Sequence, residues 1–130
     1  MSTEPGRLLI VDDEKDFAAF IAIVAREIGY TVRSVDRSPD FEFQLSEWNP
    51  TVVFLDVFMP ERDGLELLGI LEQHAFGGHV VMMSGADPLY LNMAAASAKM
   101  RGLRLSAVLP KPCRKQELQD LLKRLAASPE

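Results

Sequence analysis

A doubly wound α/β fold, five parallel strands with helices on both faces, is predicted from three observations. Five short apolar runs recur along the chain, at residues 7–11, 31–35, 51–56, 79–83 and 106–109. A stretch with apolar residues at helical spacing follows each run. No linker or internal repeat interrupts this alternation, and a steady strand–helix alternation builds a parallel sheet through crossover helices.

The first run, Leu8-Leu9-Ile10-Val11, stops abruptly at Asp12-Asp13-Glu14. Phe17, Phe20, Ile21, Val24 and Ile28 then repeat at helical spacing, and Gly29 is placed to close that helix. Acids at its start suit the positive end of the helix dipole. Residues 31–35 form the second strand, with Thr31, Val32 and Val35 β-branched. Ser38-Pro39 opens the second helix, where proline's missing N–H is no loss. Phe41, Leu45 and Trp48 of this helix would pack inward, and Asn49-Pro50 breaks it.

Val52-Val53-Phe54-Leu55 is apolar on both faces, as a central parallel strand requires. An ionised carboxylate is costly inside a core, so Asp56 is expected where this strand emerges. A loop at 57–63 leads to a third helix through Leu65, Leu68 and Leu71, ending near Gly77-Gly78. The fourth strand, 79–83, stops at Ser84-Gly85. Pro88 starts an alanine-rich fourth helix that reaches about Met100 and is ended by Gly102. The fifth strand, 106–109, is short and is punctuated by Pro110-Lys111-Pro112. Residues 114–127 form an amphipathic last helix with Leu118, Leu121, Leu122 and Leu125 on one side. The Leu and Met residues of the fourth and fifth helices are assigned to the core. His74 and His79 are assigned to solvated or strand-edge positions, and Cys113 to packing.

Composition narrows the function. At 130 residues a single domain is expected over 1–130, with a core of about 7–127 and no effector domain. A hydrophobic content of 48% and a charged content of 25% match ordinary soluble proteins. The net charge of −5, with no basic block before the C-terminal part, argues against a nucleic-acid surface. No apolar stretch approaches the roughly 18 to 20 residues of a membrane span. Residues 1–6 lack the basic start and apolar body of a signal peptide, so a cytoplasmic location is expected. One cysteine and two histidines argue against a disulfide, a thiol site or a zinc site of usual ligand count.

In an open α/β sheet, ligands bind beyond the carboxyl ends of the strands. On that rim the sequence places Asp12 and Asp13 after the first strand, Asp56 after the third, Ser84 after the fourth and Lys111 after the fifth. The second strand runs into residues 34–38 with nothing comparable. Three carboxylates close together repel, and a hard divalent cation is the usual remedy. All-oxygen ligation favours magnesium or calcium. One or two carboxylates, a backbone carbonyl and several waters suit magnesium's octahedron at roughly 2.0–2.1 Å. A carboxylate is also a nucleophile toward phosphorus, giving an aspartyl phosphate. Lys111 and Ser84 would donate to the phosphoryl oxygens.

These residues resemble the response-regulator receiver domains of the CheY-like superfamily, over nearly the whole chain. The resemblance rests on four motifs in order, each at a strand end: Asp12-Asp13-Glu14, then Leu55-Asp56-Val57-Phe58-Met59-Pro60 with Asp63-Gly64, then Ser84-Gly85-Ala86, then Lys111-Pro112. It implies a flavodoxin-like (βα)5 sheet of order 2-1-3-4-5. It also implies Asp56 as phosphoacceptor, Ser84 and Lys111 as phosphoryl-binding groups, and a cis Lys111-Pro112 bond. Mg2+ would be the cofactor, with Asp13 a direct ligand, Asp12 holding metal-bound water, Asp56 in the set and the backbone carbonyl of Phe58 a further ligand.

The phosphoryl donor implied is a sensor histidine kinase or a histidine phosphotransfer protein. Output would pass to a downstream protein, or to a second copy in a homodimer, through the face of the fourth helix, fifth strand and fifth helix. No nucleic-acid or membrane partner is implied. Self-phosphorylation and self-dephosphorylation would be the only chemistry, so an enzyme in the ordinary sense is not expected.

Three positions depart from the receiver pattern. Val108 stands where receivers carry Tyr or Phe, Phe58 is apolar where polar residues are common, and Cys113 stands where phenylalanine is frequent. The stretch between Ser84 and Lys111 is also longer than in compact receivers, which implies an extended fourth helix. These departures keep a second function open, a phosphorylation-independent pseudo-receiver acting as an interaction scaffold. An aspartyl-nucleophile phosphatase would need an acid where Phe58 stands. A flavodoxin would need phosphate-binding hydroxyls and glycine after the first strand. Taken singly, Asp12 and Asp13 read as helix-capping acids, Asp56 and Ser84-Gly85 as turn residues, and Lys111 as a surface lysine. Their joint placement at strand ends is what favours the receiver reading.

Overall fold

A computed structural model describes residues 6–59, 62–85 and 88–127, without the side chains of 58, 59 and 62–64. The strands are β1 (Arg7–Val11), β2 (Thr31–Val35), β3 (Val52–Asp56), β4 (His79–Ser84) and β5 (Arg104–Pro110). The helices are α1 (Lys15–Ile28), α2 (Ser38–Trp48), α3 (Gly64–Gln73), α4 (Pro88–Met100) and α5 (Lys115–Ala127). All five strands are parallel, in spatial order β2-β1-β3-β4-β5. The predicted fold class and strand order are both present.

The central strands are apolar throughout because each faces two cores. Side chains alternate across a strand, so Leu8, Ile10, Val52, Phe54, Val81 and Met83 point to one side, under α1 and α5. Leu9, Val11, Val53, Leu55, Val80 and Met82 point to the other, under α2, α3 and α4. Each fully buried side chain of this size contributes about 1.5–3 kcal/mol. Polar residues stand only at the strand ends: Arg7 opens β1, His79 opens β4 and Ser84 closes it, Asp56 closes β3, and Asp12 follows β1.

Helix ends follow the punctuation in the sequence. Gly29 takes a left-handed conformation (φ 113°) and donates its N–H to the carbonyls of Ala25 and Arg26. Asn49, also left-handed (φ 52°), closes α2. α3 stops earlier than Gly77-Gly78: Gln73 is its last residue, and Ala75 (φ 51°) turns the chain. Gly78 serves a different purpose, because a Cβ there would collide with the backbone carbonyl oxygen of Thr51.

Several expectations need correcting. β5 is longer than 106–109. It starts at Arg104 and carries a register shift against Val80–Val81, with Ser106 as the extra residue. The loop at 57–63 contains a two-residue antiparallel ladder, Phe58 with Asp63 and Met59 with Arg62. His79 stands at the start of β4, one of the two positions expected for it, but it is buried, and its Nδ1 lies 2.5 Å from the Ser106 hydroxyl. His74 is exposed and pairs with Glu42 at 3.0 Å. Of the long apolar residues of α4, Leu91 packs partly buried against the core as expected, whereas Leu89, Met93 and Met100 are exposed, and the fully buried positions are Ala94 and Ala98. Alanine thus fills the most deeply buried positions of α4. In α5 all four leucines are buried as expected. Among the described residues, no helix is long and apolar enough to cross a membrane.

Candidate functional site

Register brings the strand ends together. Val11 pairs with Leu55, so the residues that follow, Asp12 and Asp56, are neighbours. Asp56 pairs with Met83 and Ser84 pairs with Pro110, which sets Ser84 and Lys111 beside them. The backbone N–H of Lys111 donates to the Ser84 carbonyl at 3.1 Å. Of the predicted set, Asp12, Asp13, Asp56, Ser84 and Lys111 all converge on this rim. Phe58 is placed by its backbone pairing with Asp63, and its ring falls outside the described residues.

Carboxylate oxygens of Asp12, Asp13 and Asp56 all lie within 4.8 Å of one another. Asp56 stands at the strand end as expected, yet it is only 2% exposed, and so is Asp12. The correction has a local cause. The Lys111 ammonium, on a side chain 8% exposed, donates to Asp56 Oδ2 at 2.9 Å and offsets the cost of burial. The same nitrogen lies 3.0 Å from Asp12 Oδ2 and donates to Glu14 Oε1 at 2.7 Å. It also sits 5.2 Å from the centre of the Phe17 ring.

Asp12 divides its two oxygens. Oδ1 accepts the backbone N–H of Glu14 at 2.9 Å and closes a turn ahead of α1, whose cap position is Glu14, so Asp12 is not the helix cap that its residue type alone suggests. Oδ2 is buried with no hydrogen-bond partner among the described residues, because the nearby ammonium is close enough but not aimed at it. Burial pushes the Asp12 carboxyl up, the Glu14 N–H and Lys111 oppose this, and the Asp56 charge adds to the rise. Burial alone would lower the Lys111 ammonium, but the carboxylates of Glu14, Asp56 and Asp12 around it outweigh that and raise it. Lys111 is therefore a fixed positive charge at any working pH.

An orphaned buried carboxylate oxygen beside two further carboxylates is a donor set that suits a hard divalent cation. The residues present fit Mg2+. The Lys111–Pro112 peptide bond is cis, as the resemblance implied. Val108, in place of a ring, is 43% exposed. Two partners of Lys111 escaped the sequence reading, Glu14 and Phe17. Glu14 was legible only as one more acid of the first motif, and Phe17 only as one residue of the apolar face of α1.

A sequence profile described as the response regulator receiver domain matches residues 8–123. Among curated proteins, the chain is 25% identical over 119 residues to protein PilG of Pseudomonas aeruginosa, an alignment covering 90% of this chain and 84% of PilG. It is 32% identical over 90 residues to the nitrogen assimilation regulatory protein NtrX of Azorhizobium caulinodans, covering 68% of this chain and 20% of NtrX. The match to the transcriptional regulatory protein GltR covers 31% of that protein, so the chain spans well under half the length of these two larger relatives. The solved response-regulator receiver domain of Bermanella marisrubri superposes with a TM-score of 0.80 at 28% identity, covering 95% of this chain and 98% of that one. A response regulator of Colwellia psychrerythraea gives 0.83 at 26% identity, covering 95% and 98%.

Proposed function

The chain belongs to the family of response-regulator receiver domains, and on that premise we propose that it accepts a phosphoryl group on Asp56 from a phosphohistidine donor and signals through protein contacts. The observation that carries this reading is the Lys111 ammonium, 2.9 Å from Asp56 Oδ2, within a ring of three mutually close carboxylates.

Each residue has a role that its position supports. The Asp56 carboxylate attacks phosphorus in line with the leaving imidazole. The oxygen–phosphorus bond forms as the phosphorus–nitrogen bond breaks, and the imidazole leaves with the electron pair. An ionised carboxylate needs no general base. Lys111 then turns an N–H from Asp56 to a phosphoryl oxygen, and Ser84 offers its hydroxyl from the adjacent strand end. Mg2+, held by Asp13, Asp56 and the Phe58 carbonyl with Asp12 steadying its water, would neutralise charge on the transferring group. The donor is a sensor histidine kinase or a histidine phosphotransfer protein, in the cytoplasm.

The phosphoryl group adds about −1.5 to −2 charge at Asp56. Ser84 and the chain after it move to meet that charge and alter the face of α4, β5 and α5, where a downstream protein or a second copy docks. Val108 supplies no ring to follow Ser84, so a relay through an aromatic side chain at that position is not open to this chain. The same absence favours the second reading, a scaffold whose contacts ignore phosphorylation.

Acetyl phosphate with magnesium, followed by intact-mass measurement, tests the assignment. One phosphate adduct is expected on the wild type and none on Asp56→Asn. An adduct that persists in Asp56→Asn, or no adduct on the wild type, would sink the proposal. A partner that binds bare and beryllofluoride-loaded protein equally would support the scaffold instead.

A further inference from the structure

We propose that Glu14 competes with the incoming phosphoryl group for the Lys111 ammonium, and so sets how tightly this site holds an anion; the proposal rests on the phosphoacceptor reading of Asp56. Lys111 Nζ has three N–H donors. Around it stand Glu14 Oε1 at 2.7 Å, Asp56 Oδ2 at 2.9 Å and Asp12 Oδ2 at 3.0 Å. The first two contacts are hydrogen bonds, and the third lacks the direction of one.

This division leaves the wrong carboxylate short. Asp12 Oδ2 is buried and has no hydrogen-bond partner among the described residues. The Glu14 side chain is 65% exposed and would be well hydrated without Lys111, yet it holds the shortest of the three contacts. Glu14 thus draws the ammonium toward the mouth of the site and away from Asp12. It also brings a fourth negative charge to a rim that must admit a phosphoryl anion.

The Glu14 side chain plays no part in starting the helix behind it, since it makes no capping hydrogen bond. The backbone does that work: the Glu14 N–H donates to Asp12 Oδ1 at 2.9 Å, and the Glu14 carbonyl accepts from the Ala18 N–H at 3.1 Å. Changing the side-chain charge therefore leaves α1 intact. In Glu14→Gln the amide oxygen still accepts from Lys111, but the charge is gone and the ammonium is shared more readily with the phosphoryl group. Glu14→Asp keeps the charge.

The test compares wild type, Glu14→Gln and Glu14→Asp for the rate of phosphorylation by acetyl phosphate with magnesium and for beryllofluoride affinity by fluorine NMR. Each is measured at low salt and at about 0.5 M salt. Glu14→Gln should be phosphorylated about two- to fivefold faster and bind beryllofluoride tighter by a similar factor at low salt. The gap should narrow at high salt, where exposed charges are screened. Glu14→Asp should stay with the wild type, and all three should share one melting temperature. A wild type that is phosphorylated, with Glu14→Gln no faster and no tighter, overturns the competition alone. A wild type that takes up no phosphate overturns the phosphoacceptor reading and this inference with it.

Discussion

A Cβ placed on Gly85 would stand 2.8 Å from the carbonyl oxygen of Lys111 and 3.3 Å from its Cβ. The ends of β4 and β5 are therefore packed backbone to backbone where they deliver Ser84 and Lys111. Backbone cannot swing aside as a flexible side chain can. Gly85→Ala should part the two strand ends, cost about 1–3 kcal/mol and weaken beryllofluoride binding together with stability. Urea unfolding and a beryllofluoride titration on the same variant check both. Unchanged values would mean that the approach is not tight.

The acidic rim predicts a metal effect on stability. With Asp12, Asp13 and Asp56 within 4.8 Å and Asp12 Oδ2 unsatisfied, a bound divalent cation relieves both repulsion and the orphaned oxygen. Mg2+ at ten times its dissociation constant should stabilise the fold by about 1.4 kcal/mol, or about 5 °C in melting temperature. Calorimetry with and without Mg2+ measures it. In Asp13→Asn the increment should shrink or vanish, and an undiminished increment would place the cation elsewhere.

The sheet and the rim were legible because their signals are local. A short unbroken apolar run rich in β-branched residues, such as Val52 to Leu55, reads as a strand buried on both faces, and a carboxylate after one marks where it ends. What the sequence hid depends on contacts between distant segments. Asp56 reads as a carboxylate that must seek water until Lys111, 55 positions away, is found to pair with it. His79 reads as a polar strand-end residue until the bulge at Ser106 supplies its partner. Glu14 has no distinguishing spacing at all, since it is one acid among three. In α4, Leu89, Met93 and Met100 look like core residues by type alone, and only the packed structure shows that Ala94 and Ala98 take the fully buried positions.

That inversion in α4 is testable by paired substitutions. Ala98 is fully buried in the core on this face of the sheet, whereas Met100, two residues on, is 88% exposed. Ala98→Leu should overpack the helix–sheet contact and cost about 1–3 kcal/mol. Met100→Ser should change stability by no more than about 0.5 kcal/mol, despite removing the larger side chain. Denaturant midpoints of the two variants decide between them, and the reverse order would return Met100 to the core.

On the opposite face of the sheet, the Tyr30 hydroxyl donates to the carbonyl of Leu122 at 2.6 Å and ties the turn after α1 to α5. Burial pushes the Tyr30 phenol up from 10.0 to about 12. The native state therefore keeps this proton over a range in which the unfolded chain has lost it. The corresponding stability is complete below about pH 10 and is lost as pH rises toward about 12, about 3 kcal/mol in all. Tyr30→Phe removes the bond to Leu122 and should cost about 1 kcal/mol at pH 7. It also removes the titrating group, so its loss of stability between pH 10 and 12 should be shallower than the wild type's. Urea unfolding of both proteins at pH 7, 10 and 11.5 gives the comparison. Parallel pH curves for the two would show that the buried phenol does not control alkaline unfolding.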